Sequence, residues 1–474
     1  MLDIKNAKKN TRLKTKIVAT IGPASSDEPT LSRMIRKGMS IARLNFSHGS
    51  YEDHLKTIRN IRKISKKEGI PVAILQDLSG PKIRLTKLKK PVELKRNSQV
   101  RLATDKQIDA ELYSDFIQLT DLVKAKDSIL LDDGYIELIA EKVEKSLITC
   151  KVKVPGTAKS NKGINLPHSD VSISVFTEKD RKDLEFGLEN EVDFVAMSFV
   201  DSPDNIKPIH NMMAKAGVTI PVFAKIERPF ALKRIDEIID AFDGIMIARG
   251  DLGVEVSPEL VPIIQKKLLN MANCKNKMTI TATQMLESMI HNPRPTRAEA
   301  SDVSNAIFDG SDAVMLSGET AVGKYPVQTI EMMKKIAMAA ENSTLYTYSI
   351  EKSAFESTEA IVRSAAEIAR RLEVKYILVY SFTGNTALKI SKFRPPCPVF
   401  AFTSQRRIVE KMVPLWGIYP YQIEFTKHTD EMILKGEELL KAKNLAKSGD
   451  KVIVISGMTP MKGATNMLKL SRIS

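Results

Sequence analysis

Short apolar runs that are continuous rather than alternating recur along the first two thirds of the chain, and each runs out in a polar, charged or glycine-bearing turn. Lys16-Ile-Val-Ala-Thr-Ile, Ser40-Ile-Ala-Arg-Leu-Asn, Val72-Ala-Ile-Leu-Gln-Asp, Phe194-Val-Ala-Met-Ser, Val222-Phe-Ala-Lys-Ile, Gly244-Ile-Met-Ile-Ala, Thr279-Ile-Thr-Ala-Thr and Ala313-Val-Met-Leu-Ser all have this form. A strand that is apolar on both faces has to be covered on both, as in a parallel sheet flanked by helices. Amphipathic helical stretches between the runs, such as residues 31–37 and 51–66, supply the right-handed crossovers that parallel strands need. About eight such units predict a (β/α)8 TIM barrel, with functional residues gathered at the carboxyl ends of the strands. An open parallel sheet would use the same strands and also bind ligands at those ends; the number of runs favours closure.

Three neighbouring runs end in chemistry. Along Pro221-Val-Phe-Ala-Lys-Ile-Glu227 the period of two places Lys225 and Glu227 on one face. Gly244-Ile-Met-Ile-Ala-Arg-Gly-Asp251 ends in a charged glycine turn, and Thr279-Ile-Thr-Ala-Thr-Gln284 ends in Thr283 and an amide. Glu227 and Asp251 therefore close adjacent strands. Magnesium takes only one or two protein carboxylates and completes its octahedron with water and substrate oxygens, so two acids beside a lysine suit that ion. Buried ion pairs, Lys225 with Glu227 or Arg249 with Asp251, are the plain structural alternative; four charges at the functional end of a barrel tilt the balance toward a site.

Arg43-Leu-Asn-Phe-Ser-His-Gly49 ends the second run, where Arg43 can fork to a phosphoryl group and Asn45 and Ser47 offer oxygens to a cation. His48 reads equally well as a turn histidine. Asp77-Leu-Ser-Gly-Pro-Lys-Ile-Arg84 closes the third run and carries Lys82 and Arg84 to a hinge over the site. Gly318-Glu-Thr-Ala-Val-Gly-Lys-Tyr325 is a near-miss for a P-loop: Tyr325 stands where a magnesium-binding hydroxyl should follow the lysine, and Glu319 puts an acid inside the loop.

From residue 81 to 174 the helical period gives way to short strands and glycine turns, which predicts a small all-β domain inserted into the barrel (residues 1–80 and 175–343) as a lid. Residues 344–474 resume an alternation of helices and strands, a separate doubly wound α/β domain. Within it Ser381-Phe-Thr-Gly-Asn-Thr386 lies between a strand and a helix, where backbone N–H groups and hydroxyls can hold an anion; a plain helix cap is an equal reading.

Three cysteines far apart in the 474 residues form neither a disulfide framework nor a metal spacing, which suits a reducing compartment. The first residues lack a signal-peptide pattern and no apolar run approaches the ~18 residues that cross a bilayer, so a cytoplasmic protein without membrane contact is expected. The net charge of +15 is spread over many helices without interleaved aromatics, which argues against a nucleic-acid partner while leaving a field that draws anionic substrates.

Taken in order, Arg43 to Gly49, Asp77 to Arg84, Asn161-Lys-Gly-Ile-Asn-Leu-Pro167, Ala224-Lys-Ile-Glu227, Met246-Ile-Ala-Arg-Gly-Asp-Leu-Gly253, Thr281-Ala-Thr-Gln-Met285 and Met315-Leu-Ser-Gly-Glu-Thr320 resemble the pyruvate kinase family over essentially the whole chain. The resemblance implies a (β/α)8 barrel with a small β-barrel lid inserted after strand three and a C-terminal α/β regulatory domain. It also implies a homotetramer that carries out the last step of glycolysis, the Mg2+- or Mn2+-dependent transfer of a phosphoryl group from phosphoenolpyruvate to ADP, giving pyruvate and ATP. By the same resemblance Glu227 and Asp251 hold magnesium, Lys225 stabilises charge on the phosphoryl group and the enolate, and Arg43 clamps the phosphate. Arg249, Gly250 and Asp251, with Thr283, receive the substrate carboxylate, and Thr283 takes part in protonating the enolate through water. Asn45, His48, Arg84 and Lys162 meet the nucleotide.

Two departures from the family pattern stand out. Many members bind potassium at the positions of Asn45, Ser47, Asp77 and the Leu78 carbonyl, with Glu where Lys82 stands and Thr where Leu78 stands. The Lys82 ammonium has the charge and reach to replace that ion, so an enzyme that needs no K+ is expected. His168 stands where the family usually has Gly. The final loop, residues 456–466, also lacks the tryptophan-bearing loop of fructose-1,6-bisphosphate-activated relatives. AMP or a sugar monophosphate is then the expected anionic allosteric effector, held at Ser381, Thr383, Gly384, Asn385 and Thr386. A magnesium-dependent barrel lyase or aldolase would use the same two acids without Lys162 or Arg84.

Overall fold

The computed structural model describes residues 12–167, 175–343, 346, 350, 356–426, 428–457 and 465–474. His168 and most of the final loop, residues 458–464, lie outside them. The chain opens with β1 (Lys16–Thr20), β2 (Met39–Asn45) and β3 (Ala73–Asp77). The helix Glu28–Lys37 starts on Asp27, which accepts from Thr30 N, and stops at Gly38, whose φ of 126° suits a residue without Cβ. Ser50 and Asp53 form a reciprocal capping box at the start of the helix Tyr51–Glu68.

The insert follows, with β4 (Val92–Leu94), β5 (Gln99–Ala103), β6 (Leu112–Tyr113), β7 (Ser128–Leu131), β8 (Ile136–Glu144), β9 (Leu147–Val154), β10 (Gly156–Ala158) and β11 (Ile164–Asn165). Six of these form one sheet in the order β11-β7-β8-β9-β5-β6, and β10 pairs with β4. The hinge strand segment ties the two edges of the larger sheet together: Arg84 bridges Gly163 just before β11, and Leu85 bridges Ser114 just after β6. The sheet thereby rolls around a core of its own, including Leu102, Leu131, Leu138, Ile148 and Val152.

The barrel is completed by β12 (Phe194–Met197), β13 (Val222–Ile226), β14 (Gly244–Ala248), β15 (Met278–Ala282) and β16 (Ala313–Leu316). Its eight strands close in the order β1-β16-β15-β14-β13-β12-β3-β2. Burial on both faces explains why the runs do not alternate. Val18, Ile41, Leu75, Met246 and Met315 fill the interior, while Ile17, Ala19, Ala42 and Leu44 face outward onto Leu31, Met34, Ile58 and Ile61 of the helical layer.

The C-terminal sheet contains β17 (Tyr376–Tyr380), β18 (Val399–Thr403), β19 (Ile418–Gln422), β20 (Lys451–Gly457) and β21 (Thr465–Arg472), in the order β19-β18-β17-β20-β21. Two of these strands had no clear signal in the sequence. β19 carries Pro420, which an edge strand tolerates, and β21 is a largely exposed edge that pairs antiparallel with β20. The order reverses between β17 and β20, the topological switch point of such sheets.

This domain is seated on the amino end of the barrel through buried charge. Asp312, just before β16, accepts from Thr279 N at 2.9 Å, pairs with Lys392, and lies 2.8 Å from Arg394 NH1. Lys16 Nζ donates to Ile418 O at 2.6 Å. No helix among the described residues is long and apolar enough to cross a membrane.

Candidate active site

Lys225, the fourth residue of β13, is the hub of the carboxyl end of the barrel. Its Nζ lies 2.9 Å from Glu227 Oε1, 3.1 Å from Asp77 Oδ1, and donates to Ser198 Oγ at 2.6 Å. Ser198 donates onward to Leu78 O at 2.7 Å. Arg43 joins from β2, donating through Nε to Asp77 Oδ2 at 2.6 Å and through NH1 to Thr20 Oγ1 at 2.8 Å. Four strands thus lock one cation network in place. Burial alone would depress the Lys225 ammonium, but Asp77 and Glu227 outweigh it and hold the amine charged. Burial likewise favours a neutral Asp77, and Lys225 and Arg43 overcome it.

Glu227 goes the other way. Burial raises its carboxyl, and the nearby charge of Asp251 adds to the rise in spite of Lys225. Phe199 N donates to its Oε2 at 2.7 Å. Two hard oxygen donors that still repel each other beside Lys225 fit a small divalent cation, which would reverse the local balance of charge.

Asp251 belongs to the short helix Arg249–Glu255, which starts directly after β14. Residues two apart on a helix face different ways, which disposes of an Arg249–Asp251 pair. Arg249 instead turns to Asp302, 2.6 Å away on the helix Arg297–Phe308, and donates to Thr283 O at 2.8 Å. Asp251 Oδ1 faces Lys82 Nζ at 3.6 Å. Thr283 has φ of 68°, a left-handed conformation that a β-branched residue adopts at a cost of order 1–3 kcal/mol. In that conformation its Oγ1 accepts from Gly250 N at 2.7 Å and donates to Ala282 O at 2.6 Å. The expected quartet of Lys225, Glu227, Asp251 and Thr283 shares one mouth.

A cavity of about 870 Å³ opens between this mouth and the lid, lined by Asp132, Tyr135 and Lys162 on one side and Arg249, Asp251 and Thr283 on the other. That volume suits a nucleotide-sized ligand. Lys162 is held by Asp132 at 2.7 Å, and Arg84 NH1 donates to Asn161 O at 3.1 Å. Burial and then the charges of Arg84, Lys82, Arg43 and Lys179 push the His48 imidazole down, so a neutral ring sits in a strongly positive basin.

The proposed monovalent-cation positions are partly engaged within the chain. Both Asp77 oxygens serve Arg43 and Lys225, the Leu78 carbonyl accepts from Ser198, and Asn45 Oδ1 accepts from Ser47 N at 3.2 Å. The expected effector residues lie in the other α/β domain, after β17 at the switch point. Ser381 Oγ accepts from Gly384 N at 3.1 Å, and Thr386 Oγ1 meets Thr465 Oγ1 at 2.7 Å. Thr383 and Asn385 flank these, Asn385 opening the helix Asn385–Lys392.

Three positioning residues went unnoticed in the sequence. Ser198 follows a barrel strand and could have been found by the strand-end rule, as could Thr20. Asp302, on an outer helix, gives no such signal.

The family description "Pyruvate kinase, barrel domain" matches residues 12–330 and "Pyruvate kinase, alpha/beta domain" matches residues 359–471. The chain is 41% identical over 474 residues to a pyruvate kinase of Clostridium perfringens, covering 97% of this chain and 100% of that one. It is 41% identical to the pyruvate kinase of Geobacillus stearothermophilus, over 97% of this chain and 80% of the relative. A crystal structure of a pyruvate kinase from Cryptosporidium parvum superposes with a TM-score of 0.90 at 35% identity, covering 98% of this chain and 96% of that one. A closed parallel barrel, a catalytic-end network of lysine, arginine and paired carboxylates, and agreement along both halves of the chain lead to one assignment: the chain belongs to the pyruvate kinase family of phosphotransferases.

Proposed function

We propose that this enzyme transfers the phosphoryl group of phosphoenolpyruvate to ADP by way of the Lys225 network. The observation that supports the reading most directly is the buried Lys225 ammonium, kept charged and immobile by Asp77 and Glu227. A fixed positive charge in a water-poor site stabilises the negative charge that develops on the phosphoryl oxygens and the enolate without reorganising. Arg43, oriented by Asp77 and Thr20, presents its planar fork to the phosphate. The start of the helix Arg249–Glu255, with Thr283, receives the substrate carboxylate, and Thr283 takes part in delivering a proton to the enolate through water. Arg84, Lys162, Asn45 and His48 meet the nucleotide on the lid side of the positive basin.

Glu227 and Asp251 would hold the magnesium ion (or Mn2+), which when bound neutralises substrate oxygens as a Lewis acid. The rest of the work falls to the chain. Lys82 serves in place of potassium: its ammonium already lies beside Asp251 and within electrostatic reach of His48. The switch-point segment Ser381, Thr383, Gly384, Asn385 and Thr386 holds AMP or a sugar monophosphate, as ligands of doubly wound sheets gather at such crevices. A barrel of residues 1–80 and 175–343, a lid of 81–174, a regulatory domain of 344–474, a homotetramer and a cytoplasmic location complete the proposal. The separate core of the lid favours that division.

Pyruvate release from phosphoenolpyruvate and ADP tests the reading, assayed in tetramethylammonium buffer with and without KCl and candidate effectors. Lys225→Met is expected to lose at least about a hundredfold in kcat, and Glu227→Gln to raise the magnesium half-saturation. Full turnover by both variants would sink the mechanism. A large activation of the parent by KCl would overturn the role of Lys82, whereas Lys82→Glu should create that dependence. Effectors that leave substrate affinity unmoved would make the 381–386 segment a plain helix start.

A further inference from the structure

The lid reaches the barrel on the same short helix that carries Asp251. Lys82 from the hinge faces Asp251 at 3.6 Å. One turn further along, Asn165 of β11 donates from Nδ2 to Glu255 Oε1 at 3.2 Å. Between them the lid turn closes on Val254: a Cβ added at Gly134 would lie 3.5 Å from Val254 Cγ1. Asp251 and Glu255 stand four residues apart, on one face of a helix of seven residues. The far end of that helix is pinned by Arg249 to Asp302 and Thr283.

The carboxylate of Glu255 also faces a cleft of about 290 Å³ built by lid and barrel together, with Lys82, Asn165 and Leu166 on one wall and Phe199 and Arg228 on the other. Arg228 lies over the Phe199 ring at 4.9 Å, and Phe199 N holds the second acid, Glu227, at 2.7 Å. The cleft where lid and barrel meet therefore borders both acids, Asp251 through the helix 249–255 and Glu227 through Phe199.

We propose that the Asn165–Glu255 hydrogen bond is the latch by which lid position sets the placement of Asp251, making Asn165 and Glu255 positioning residues for the metal and the nucleotide. The proposal rests on the reading of Asp251 as a magnesium ligand. A short helix behaves as a rigid rod, so a pull on its last residue is felt one turn back, where the carboxylate has to meet a narrow octahedral geometry.

Exchanging donor and acceptor tests this. Asn165→Asp sets a carboxylate against Glu255, and Asn165→Asp with Glu255→Gln restores the bond with its direction reversed. Amide hydrogen exchange of the metal-free protein reads the latch itself. Faster exchange in β11 and in residues 249–255 of Asn165→Asp, returned to the parent rate in the double variant, is expected. In steady-state assays at pH 8.5, where Glu255 is ionised, the magnesium half-saturation and the KM for ADP should rise about tenfold in Asn165→Asp, the equivalent of one charge-assisted hydrogen bond. The value of kcat should change far less, and both constants should recover in the double variant. Unchanged exchange, or no recovery in the double variant, overturns the latch. Altered exchange with an unmoved magnesium half-saturation overturns the positioning role and leaves a structural bond. Asp251→Asn separates the two readings, because it raises the magnesium half-saturation only if the metal assignment holds and leaves exchange in β11 at the parent rate.

Discussion

Glu255 gives the structure a pH signature that can be measured without catalysis. Burial is the main cause that raises its carboxyl from the ordinary 4.5 to about 7; Arg228 and Asn165 oppose the rise, and the charges of Asp251 and Glu227 add to it. An acid whose folded pKa is raised keeps its proton in the folded state after the unfolded chain has lost it. Below 4.5 both states are protonated and the group is neutral toward folding. Between 4.5 and about 7 folding loses stability as pH rises, and above 7 the full penalty applies. At about 1.4 kcal/mol for each pH unit of that window, the penalty reaches ~3 kcal/mol.

Glu255→Gln keeps an acceptor for Asn165 and removes the titration. Whatever the amide itself does to packing is the same at every pH and cancels in a difference. Thermal melts of parent and variant in EDTA, at pH 5 and pH 8, should therefore diverge. The variant gains on the parent toward high pH by about 6 °C if the melting unit is of barrel size. Under the proposed metal assignment, saturating magnesium should shrink the gain without abolishing it, because an ion held by Asp251 and Glu227 would neutralise them but leave burial in place. Parallel melting curves across the pH range, with a difference constant to about a degree, would refute the reasoning.

Asp312→Asn strips the one carboxylate that faces two buried cations, Lys392 and Arg394, and should destabilise the protein by about 3–5 kcal/mol, partly recovered by adding Lys392→Met; differential scanning calorimetry checks both. Iodoacetamide at pH 8 should label Cys274, which is partly exposed, and spare Cys150 and Cys397, whose buried thiols are pushed up to about 12; peptide mass spectrometry of the native protein reads the pattern. Gly187→Ala should cost about 1–3 kcal/mol, since its Cβ would come within 2.0 Å of Gln76 Oε1, and Gln76 is held by Asp183 O at 2.6 Å. A chemical or thermal melt indistinguishable from that of the parent would show that the helix can shift to make room.

The barrel and its chemical end were legible because a parallel strand converts sequence position into spatial position. In the first two thirds of the chain each run that is apolar on both faces is a barrel stave, and the residues at its end are at the mouth. That rule places Arg43, Asp77, Glu227, Asp251 and Thr283 at the carboxyl ends of barrel strands, and Ser198 and Thr20 are within its reach. The C-terminal sheet was read less fully. Its inner strands are apolar, but β19 is interrupted by Pro420 and β21 is an exposed edge, so neither had to carry the pattern of a buried strand.

Side-chain partners fixed by packing obey no such rule. The sequence offered two ion pairs as a structural alternative to a site, Lys225 with Glu227 and Arg249 with Asp251, and treated them alike. Only the first forms, at 2.9 Å, because residues 249–251 are already helical and i,i+2 side chains diverge. That local fact frees Asp251 to face the cavity and sends Arg249 to Asp302, 53 residues away. The Asn165–Glu255 contact spans 90 residues and two separately folded layers. Neither partner has a spacing, a period or a strand end to announce it, so the charged residues at the strand ends can be read from the chain, whereas the contacts that hold them become visible only once the lid has been laid on the barrel.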